Sequence, residues 1–215
     1  MTNNPSQKLA VTLWNYKGGV GKSTISFILA EIAATQGLRT LAIDLDEQQN
    51  LAEALKLTTF YNLEVRTNLD TALAQQDFDF FVIDTHHTKD DIIKQALAFA
   101  DIVLVPVMSD FLSIMNLRSV FNYISAAGVG SGQIAVVKNC SNKLKTSSEI
   151  EGILDEQGYP SAGRLPRNNT LVRNIASGNR WDRSLSSSQR APFLALYSNL
   201  WEAFSSICAG KFTNL

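Results

Sequence analysis

The hydrophobic positions of the chain fall into two patterns, short continuous runs and longer stretches with helical spacing. The continuous runs predict strands covered on both faces, because a strand buried on one face alone would alternate apolar and polar residues. These runs cover residues 9–14, 40–45, 78–84, 102–107 and 134–137. A shorter and more exposed strand is predicted at residues 63–66.

Stretches with helical spacing separate these runs and indicate the fold class. After the first run, apolar residues recur three and four positions apart, at Ile25, Ile28, Leu29, Ile32 and Ala33. This spacing predicts a helix that Gly37 ends, and further helices are predicted at residues 111–126 and 147–157. The alternation favours an α/β fold, with a mostly parallel twisted sheet and helices on both faces. With 215 residues, the chain is expected to form one domain over residues 1–215.

A glycine-rich stretch joins the first predicted strand to the first predicted helix. It reads Asn15-Tyr16-Lys17-Gly18-Gly19-Val20-Gly21-Lys22-Ser23-Thr24. Glycines at such a turn let backbone N–H groups point at a phosphate, and the helix N-terminus favours negative charge there. The standard phosphate-binding loop has glycine at the position of Tyr16, and this chain has a second lysine, Lys17, just after it. The stretch therefore predicts a variant phosphate-binding loop.

This loop resembles that of the deviant Walker A ATPases of the ParA/MinD family. The resemblance implies that Lys22 holds the β- and γ-phosphates of ATP, Ser23 the magnesium ion and Thr24 the α-phosphate. It also implies that Lys17 is the signature lysine, which in the family reaches across a dimer to the partner's nucleotide. Catalytic roles are therefore expected for Lys17 and Lys22. Four further residues are expected to contact the nucleotide: Gly18, Gly19, Val20 and Gly21.

Two carboxylates, Asp44 and Asp46, stand at the end of the second predicted strand. Side chains two residues apart on a strand point the same way, so one can support magnesium while the other orients the attacking water. The stretch resembles the family's Asp-x-Asp-Pro-Gln motif, although Glu47 stands where the family usually has proline. The resemblance implies a catalytic Asp46, and Asp44 is expected at the metal. The alternative is a solvated acidic turn.

The run at residues 78–84 ends in Asp84 and resembles a Walker B motif. A carboxylate at this place is expected to bind Mg²⁺ through its water shell, because hard cations prefer oxygen ligands. His86 and His87 follow, where the family usually has residues close to two prolines. We interpret the histidines as a loop substitution, and a role in sensing the γ-phosphate stays open.

Three later residues are expected near the adenine base. Asn139 resembles the family's asparagine at a strand end, and its amide could pair with an adenine edge through one donor and one acceptor. Pro166 and Arg167 resemble the family's segment beside the base. The alternative for Asn139 is a residue that only forms a turn.

The charge of the chain is distributed unevenly. The formal net charge is −1, yet residues 1–110 carry −6 and residues 111–215 carry +5. Six arginines and only one acidic residue, Asp182, lie between residues 164 and 190. Related partition ATPases bind nucleoid DNA non-specifically through basic residues in this region, and arginine suits phosphate recognition. DNA contacts are therefore expected for Arg173, Arg180 and Arg183. The alternative is a solvated face with one arginine that serves the nucleotide or the dimer interface.

The C-terminal stretch has an apolar stripe at helical spacing. MinD-type relatives end in a basic amphipathic helix that lies on a membrane, but residues 192–208 contain no lysine or arginine. An anionic lipid surface would gain little from such a helix, so packing against the domain is expected and membrane binding is not. Pro192 is predicted in the first turn of this helix.

The sequence as a whole favours a ParA-type ATPase. Its cofactors would be ATP and Mg²⁺, and its partners a second copy in the ATP state, non-specific DNA and a ParB-like adaptor that stimulates slow hydrolysis. Such a protein segregates or positions a cargo, whose identity stays open. Cys140 and Cys208 fit no metal-ligand spacing, so a cytoplasmic, nucleoid-associated location is expected. The alternatives are a MinD-like membrane-associated regulator and a metabolic P-loop enzyme.

Overall fold

The computed structural model describes residues 8–210 except 71–73, 75–76, 109, 142–151, 155 and 184. Seven strands of this part form one sheet whose neighbouring strands all run parallel. The strands are β1 (Leu9–Leu13), β2 (Thr40–Asp44), β3 (Leu63–Arg66), β4 (Phe80–Asp84), β5 (Ile102–Met108), β6 (Ile134–Ser141) and β7 (Ser161–Pro166). Their order across the sheet is β3-β2-β4-β1-β5-β6-β7. The predicted parallel α/β class is confirmed.

Helices connect the strands in the described part of the chain. They are α1 (Lys22–Thr35), α2 (Asn50–Lys56), α3 (Asp91–Phe99), α4 (Phe111–Met115), α5 (Leu117–Ala126), α6 (Asn169–Ala176) and α7 (Ser187–Cys208). A short 3₁₀ turn, Ser131–Gln133, precedes β6. The helix predicted at residues 147–157 lies largely outside the described residues. Within the described ranges, no helix has both the length and the apolar character needed to cross a membrane.

The helices cover the sheet on both faces. Alternate residues of β5 belong to different apolar clusters, and alternate residues of a strand point to opposite faces. One cluster packs α1, α2, α6 and α7 on the sheet through Phe27, Leu51, Leu171 and Leu196. The other includes Leu97 of α3 together with residues of α4 and α5. Strands buried on both faces explain the continuous apolar runs in the sequence.

Two helix predictions need correction. The predicted helix at residues 111–126 is interrupted at Asn116, which ends α4 and precedes α5. The apolar periodicity continues through this break and so does not reveal it. The C-terminal helix packs back on the sheet as expected, but Pro192 lies inside α7 rather than in its first turn. A capping box between Ser186 and Gln189 begins the helix earlier than the proline would suggest.

The topology brings the ends of β1, β2 and β4 together. Asp44 and Asp84 are register partners at the carboxyl ends of the neighbouring strands β2 and β4. Asp84 is also the partner of Leu13, the last residue of β1 before the glycine-rich loop. Ligands of open parallel sheets bind at this end of the strands. The sheet therefore places the loop and both acidic motifs at one edge.

Candidate functional site

The glycine-rich loop has a backbone that only glycine adopts easily. Gly19 and Gly21 have positive φ values, 74° and 94°, and Gly21 is the N-cap residue of α1. A Cβ atom on Gly21 would lie 2.0 Å from the side-chain nitrogen of Asn139. That nitrogen donates a hydrogen bond of 2.8 Å to the carbonyl of Val20. Asn139 therefore shapes the loop in this structure, and its predicted contact with adenine stays a prediction.

Asn15 anchors the start of the loop. Its side-chain nitrogen donates to the carbonyl of Pro106 at 2.9 Å, and its side-chain oxygen accepts from the backbone N–H of Lys17 at 2.9 Å. The carbonyl of Asn15 accepts a bond of 3.2 Å from Nζ of Lys22. Burial lowers the pKa of Lys22, while the charges of Asp84 and Asp46 act to raise it. The loop thus holds a buried cation beside two carboxylates.

Asp84 has the character of a cation ligand. Its side chain is fully buried, and neither carboxylate oxygen accepts a well-formed hydrogen bond from a described residue, although the Ser23 hydroxyl lies nearby. Burial raises its pKa to about 7; the Ser23 hydroxyl acts against this rise, whereas the nearby carboxylate of Asp44 adds to it. A buried carboxylate without a donor is a stable arrangement only when a cation or a proton compensates it.

These residues fit a magnesium ion bound together with a nucleotide. The described residues contain no group of three or more His, Cys, Asp or Glu side chains that could hold a metal alone. Magnesium at a nucleotide needs fewer protein ligands, because it keeps several waters and takes phosphate oxygens. Asp84 and the hydroxyl of Ser23 are the groups at hand. A binding site for magnesium with nucleotide is therefore consistent with the geometry.

Asp44 and Asp46 lie close together as expected, but they differ in their bonds. The two oxygens of Asp44, which is buried, accept from the backbone N–H groups of Asp46 at 3.1 Å and Ala52 at 2.9 Å. Asp46 is partly exposed, and its Oδ1 accepts from the N–H of Gln48 at 2.9 Å. Burial raises the pKa of Asp44, and the same two N–H groups act against that rise. Asp44 as a metal ligand stays a prediction, although its geometry indicates another task.

Lys17 points to a carboxylate of its own chain. Its Nζ lies 3.0 Å from Oδ2 of Asp110 and 2.8 Å from the hydroxyl of Ser113. Asp110 also caps α4, because its Oδ1 accepts from the N–H of Ser113 at 2.9 Å. Burial alone would raise the pKa of Asp110, but the bonds from Ser113 and Lys17 hold it below its ordinary range. No pattern in the sequence indicates this pair.

The contacts of His86 lie within the loop that joins β4 to α3. The Thr88 hydroxyl lies 2.6 Å from Nδ1 of His86, and Nε2 of His86 lies 3.3 Å from a carboxylate oxygen of Asp90. Asp90 caps α3 through the N–H of Ile93. His87 is exposed. These contacts are consistent with the interpretation of a loop substitution.

An aromatic group that the sequence did not reveal connects this histidine loop to the glycine-rich loop. The rings of Trp14 and Tyr123 stack at 4.6 Å, and Tyr16 meets Trp14 edge-on at 6.3 Å. The ammonium of Lys89 lies 5.2 Å from the ring of Tyr16 and 5.4 Å from that of Tyr123. Tyr16, at the position where a standard loop has glycine, therefore has a packing role.

The arginine-rich segment divides into exposed and anchored residues. Arg173 and Arg183 are exposed, as are Arg164 and Arg167. Arg180 is half-buried: it donates to the hydroxyl of Thr35 at 3.2 Å and pairs with Asp182 at 3.4 Å. Its guanidinium also lies 5.0 Å from the ring centre of Phe60. Arg180 as a DNA contact stays a prediction, but these contacts attach it to its own chain.

Next to Arg180, a buried carboxylate of α1 holds the same segment. Glu31 is fully buried, and one of its oxygens accepts from the backbone N–H of Trp181 at 2.7 Å. Its other oxygen has no partner among the described residues. Burial raises the pKa of Glu31 to about 7, against the effect of the Trp181 N–H and of Arg180. The only sequence signal was a single glutamate in the middle of α1, where residues 27–34 are otherwise apolar.

The site combines three features: a glycine-rich loop before α1, the buried Lys22, and the buried Asp84 on the strand next to β1. Together they define a P-loop nucleotide-binding protein. The chain belongs to the CobQ/CobB/MinD/ParA nucleotide-binding domain family, whose sequence profile matches residues 11–181. The predicted relationship to ParA and MinD proteins is thereby confirmed.

Individual relatives agree with the family. VirC1 of Rhizobium rhizogenes is 28% identical over 127 residues, which cover 53% of this chain and 55% of VirC1. The chain therefore matches only about half the length of that relative. The sporulation initiation inhibitor Soj of Bacillus subtilis is 24% identical over 191 residues, covering 67% of this chain and 70% of Soj. A plasmid partition protein of Borrelia burgdorferi, solved with AMPPNP, has the same fold, with a TM-score of 0.74, 20% identity and coverage of 94% and 100%.

Proposed function

We propose that the chain is a ParA-type ATPase: it binds ATP with Mg²⁺, dimerises in the ATP state, binds DNA without sequence preference and positions a cargo. The observation that carries the nucleotide part is the convergence of Lys22, Asp46 and Asp84 at the loop that opens α1. The buried Lys22 and Asp84 and the partly exposed Asp46 lie at the helix N-terminus, where phosphates bind.

Each of these residues has a task in hydrolysis. Lys22 provides positive charge for the β- and γ-phosphates, and Ser23 with Asp84 would hold the magnesium ion. When bound, magnesium neutralises charge on the phosphate oxygens. Asp46 accepts a hydrogen bond from the attacking water and orients it. The water oxygen then bonds to the γ-phosphorus, the bond to the bridging oxygen breaks, ADP leaves with the electron pair, and the water proton ends on phosphate.

Different parts of the molecule would serve dimerisation and DNA binding. Lys17 would complete the site of a second copy, so hydrolysis stays slow until an adaptor protein of the ParB kind stabilises that arrangement. Arg173 and Arg183 are exposed and lie in the half of the chain with net charge +5. The description of the Borrelia protein with this fold as a plasmid partition protein supports the positioning function, and the family profile supports nucleotide binding.

Nucleotide binding is the first thing to test. A fluorescent ATP analogue with Mg²⁺ should bind the wild type, and Lys22→Ala should bind at least tenfold more weakly, because the charge that faces the phosphates is gone. Lys94→Ala is the control and should bind like the wild type, since Lys94 is an exposed lysine of α3 that pairs with Asp91. Equal binding by wild type and Lys22→Ala would remove the basis of the proposal.

A further inference from the structure

We propose that Asp44 is a positioning residue for hydrolysis: it fixes the backbone of Asp46 and couples it to α2, and it does not bind magnesium. This inference rests on the proposed ATPase function and concerns the same site. It assigns different tasks to two carboxylates, Asp44 and Asp84, that the sheet places side by side.

The bonds of Asp44 carry the inference. Asp44 is the last residue of β2 and only 1% exposed, and each of its carboxylate oxygens accepts from a different backbone N–H. Oδ1 accepts from Asp46 at 3.1 Å, and Oδ2 accepts from Ala52 at 2.9 Å. A cation that displaced either bond would leave a buried main-chain donor without its acceptor. Such buried donors are costly to leave unpaired.

Asp84 shows the opposite arrangement. It stands on the strand next to Asp44, it is fully buried, and neither of its oxygens accepts a well-formed hydrogen bond from a described residue, although the Ser23 hydroxyl lies nearby. Of the two neighbouring carboxylates, Asp44 accepts from two backbone N–H groups, and Asp84 accepts from none in the described part of the chain. The structure therefore assigns the cation to Asp84 and the backbone to Asp44.

The bond to Ala52 stabilises the start of α2. The N-cap residue of this helix, Gln49, makes no side-chain cap bond and has a positive φ of 50°, which is unusual for a residue other than glycine. Ala52 is the third residue of α2, the position whose N–H an N-cap side chain normally binds. Asp44 provides this cap from the end of the neighbouring strand, so α2 and β2 are held in register.

The second bond fixes Asp46 within the same turn. Asp44 holds the N–H of Asp46, the carbonyl of Asp46 accepts from Gln49 at 2.9 Å, and the carboxylate of Asp46 accepts from Gln48 at 2.9 Å. The turn between β2 and α2 is thus attached to Asp44 at both ends. A displacement of the water-orienting carboxylate by about 1 Å can cost on the order of 100-fold in rate.

The test separates a positioning residue from a metal ligand by their different effects on kinetics. Asp44→Ala should lower kcat for ATP hydrolysis roughly 10- to 100-fold, with the KM for ATP and the half-maximal Mg²⁺ concentration changed by no more than about threefold. Asp84→Asn is the comparison for a metal ligand and should raise the Mg²⁺ requirement at least tenfold. Asp44→Asn, which is nearly isosteric but cannot accept with both atoms, serves if Asp44→Ala does not fold.

A matched control distinguishes positioning from a general loss of stability. Asp101 lies at the opposite end of the sheet, and its carboxylate also accepts from a backbone N–H, that of Ala10, at 2.8 Å. Asp101→Asn should lower the melting temperature without changing kcat well below that temperature. The inference fails if Asp44→Ala raises the Mg²⁺ requirement as Asp84→Asn does, or if its kcat loss is no greater than that of Asp101→Asn. A wild type without Mg²⁺-dependent hydrolysis would instead contradict the proposed function itself.

Discussion

Lys17 forms an ion pair with Asp110 of its own chain, Nζ lying 3.0 Å from Oδ2. The hydroxyl of Ser113 completes this contact at 2.8 Å. By its resemblance to the signature lysine, Lys17 is expected to serve the nucleotide of a second copy. The ammonium can do so only after it leaves Asp110, so formation of the ATP dimer includes the loss of this pair.

The pair predicts a variant that dimerises more readily. Asp110→Asn keeps a side chain able to cap α4 at the N–H of Ser113 but removes the negative charge. The two side chains are 39% and 41% exposed, and an ion pair of this kind contributes about 0–1 kcal/mol. Each protomer of the dimer would lose one pair, so sedimentation velocity with ATP should show a dimer dissociation constant lower by up to roughly 30-fold. Asp91→Asn, which breaks the exposed pair with Lys94, is the control and should change nothing.

A weaker ATP dimer in the Asp110→Asn variant would contradict this explanation. That outcome would mean that Asp110 contributes to the dimer contact itself rather than restraining Lys17.

Removing Asp46 should separate nucleotide binding from turnover. Asp46→Ala keeps the loop, Lys22 and the bond of Asp44 to the backbone N–H at position 46, because that N–H does not depend on the side chain. ATP binding and dimerisation should persist, while hydrolysis falls by roughly 100-fold or more, as expected for loss of a group that orients the nucleophile. Phosphate release and sedimentation measured on the same samples test this. An Asp46→Ala protein that stays monomeric, under conditions where the wild type dimerises, argues against this division of tasks.

The sequence predicted those parts of the site that depend on local pattern. The loop is visible in a single sequence because its glycines mark a turn with positive φ. The carboxylates are visible because they end apolar runs such as β4, and the strand ends of a parallel sheet meet at one edge. Contacts between distant residues were not visible. Lys17 and Asp110 are 93 positions apart, and Asn139 and Val20 are 119 apart.

The role of Asp44 shows why the rest could not be predicted. Its residue type and its place at the end of a strand fit a metal ligand and a backbone clamp equally well. Only the position of α2, whose third N–H reaches the carboxylate, distinguishes the two. By contrast, the start of α7 before Pro192 could have been predicted, because Ser186 followed three residues later by Gln189 is a capping-box pattern visible in the sequence.

The buried Glu31 predicts a pH dependence of stability. Its pKa is about 7 in the folded chain against an ordinary value of 4.5. The contribution of Glu31 to the free energy of unfolding is therefore fully present below about pH 4.5 and is lost as the pH rises to about 7. The loss is on the order of 3–4 kcal/mol, because each pKa unit between these two values contributes about 1.4 kcal/mol. Asp84, also raised to about 7, adds a loss of the same sign when no magnesium is present.

Replacing Glu31 isolates its share of this dependence. Glu31→Gln keeps an oxygen for the N–H of Trp181 and cannot ionise, so urea unfolding without Mg²⁺ should show a smaller fall in stability between pH 5 and 8 than the wild type. Arg180 and Asp182 face the same site and remain unchanged in both proteins. Glu202→Gln, an exposed change on α7, should retain the full wild-type dependence. Equal pH profiles for Glu31→Gln and wild type would show that Glu31 is not the group responsible.

DNA binding should depend on the exposed arginines of residues 164–190 and on dimerisation. Arg173 and Arg183 are exposed, whereas Arg180 contacts Thr35, Asp182 and Phe60 of its own chain. One chain offers few phosphate contacts, and a dimer doubles them, so ATP can switch on binding without new chemistry. Random duplex DNA should therefore bind in ATP and much less in ADP. Binding should also weaken steeply with salt, by a log–log slope of roughly 0.9 for each phosphate contact.

Three variants test which arginines take part. The double change Arg173→Ala and Arg183→Ala should weaken binding and reduce the salt slope by roughly 2–4 in a dimer, because each protomer loses up to two contacts. Arg180→Ala should chiefly lower the melting temperature, since it loses the stack on Phe60 and the bond to Thr35. Arg118→Ala is the control, because Arg118 is an exposed arginine of α5, on the other face of the sheet. Binding that ignores nucleotide and salt, or that the double change leaves intact, would leave a nucleotide switch that acts through protein partners alone.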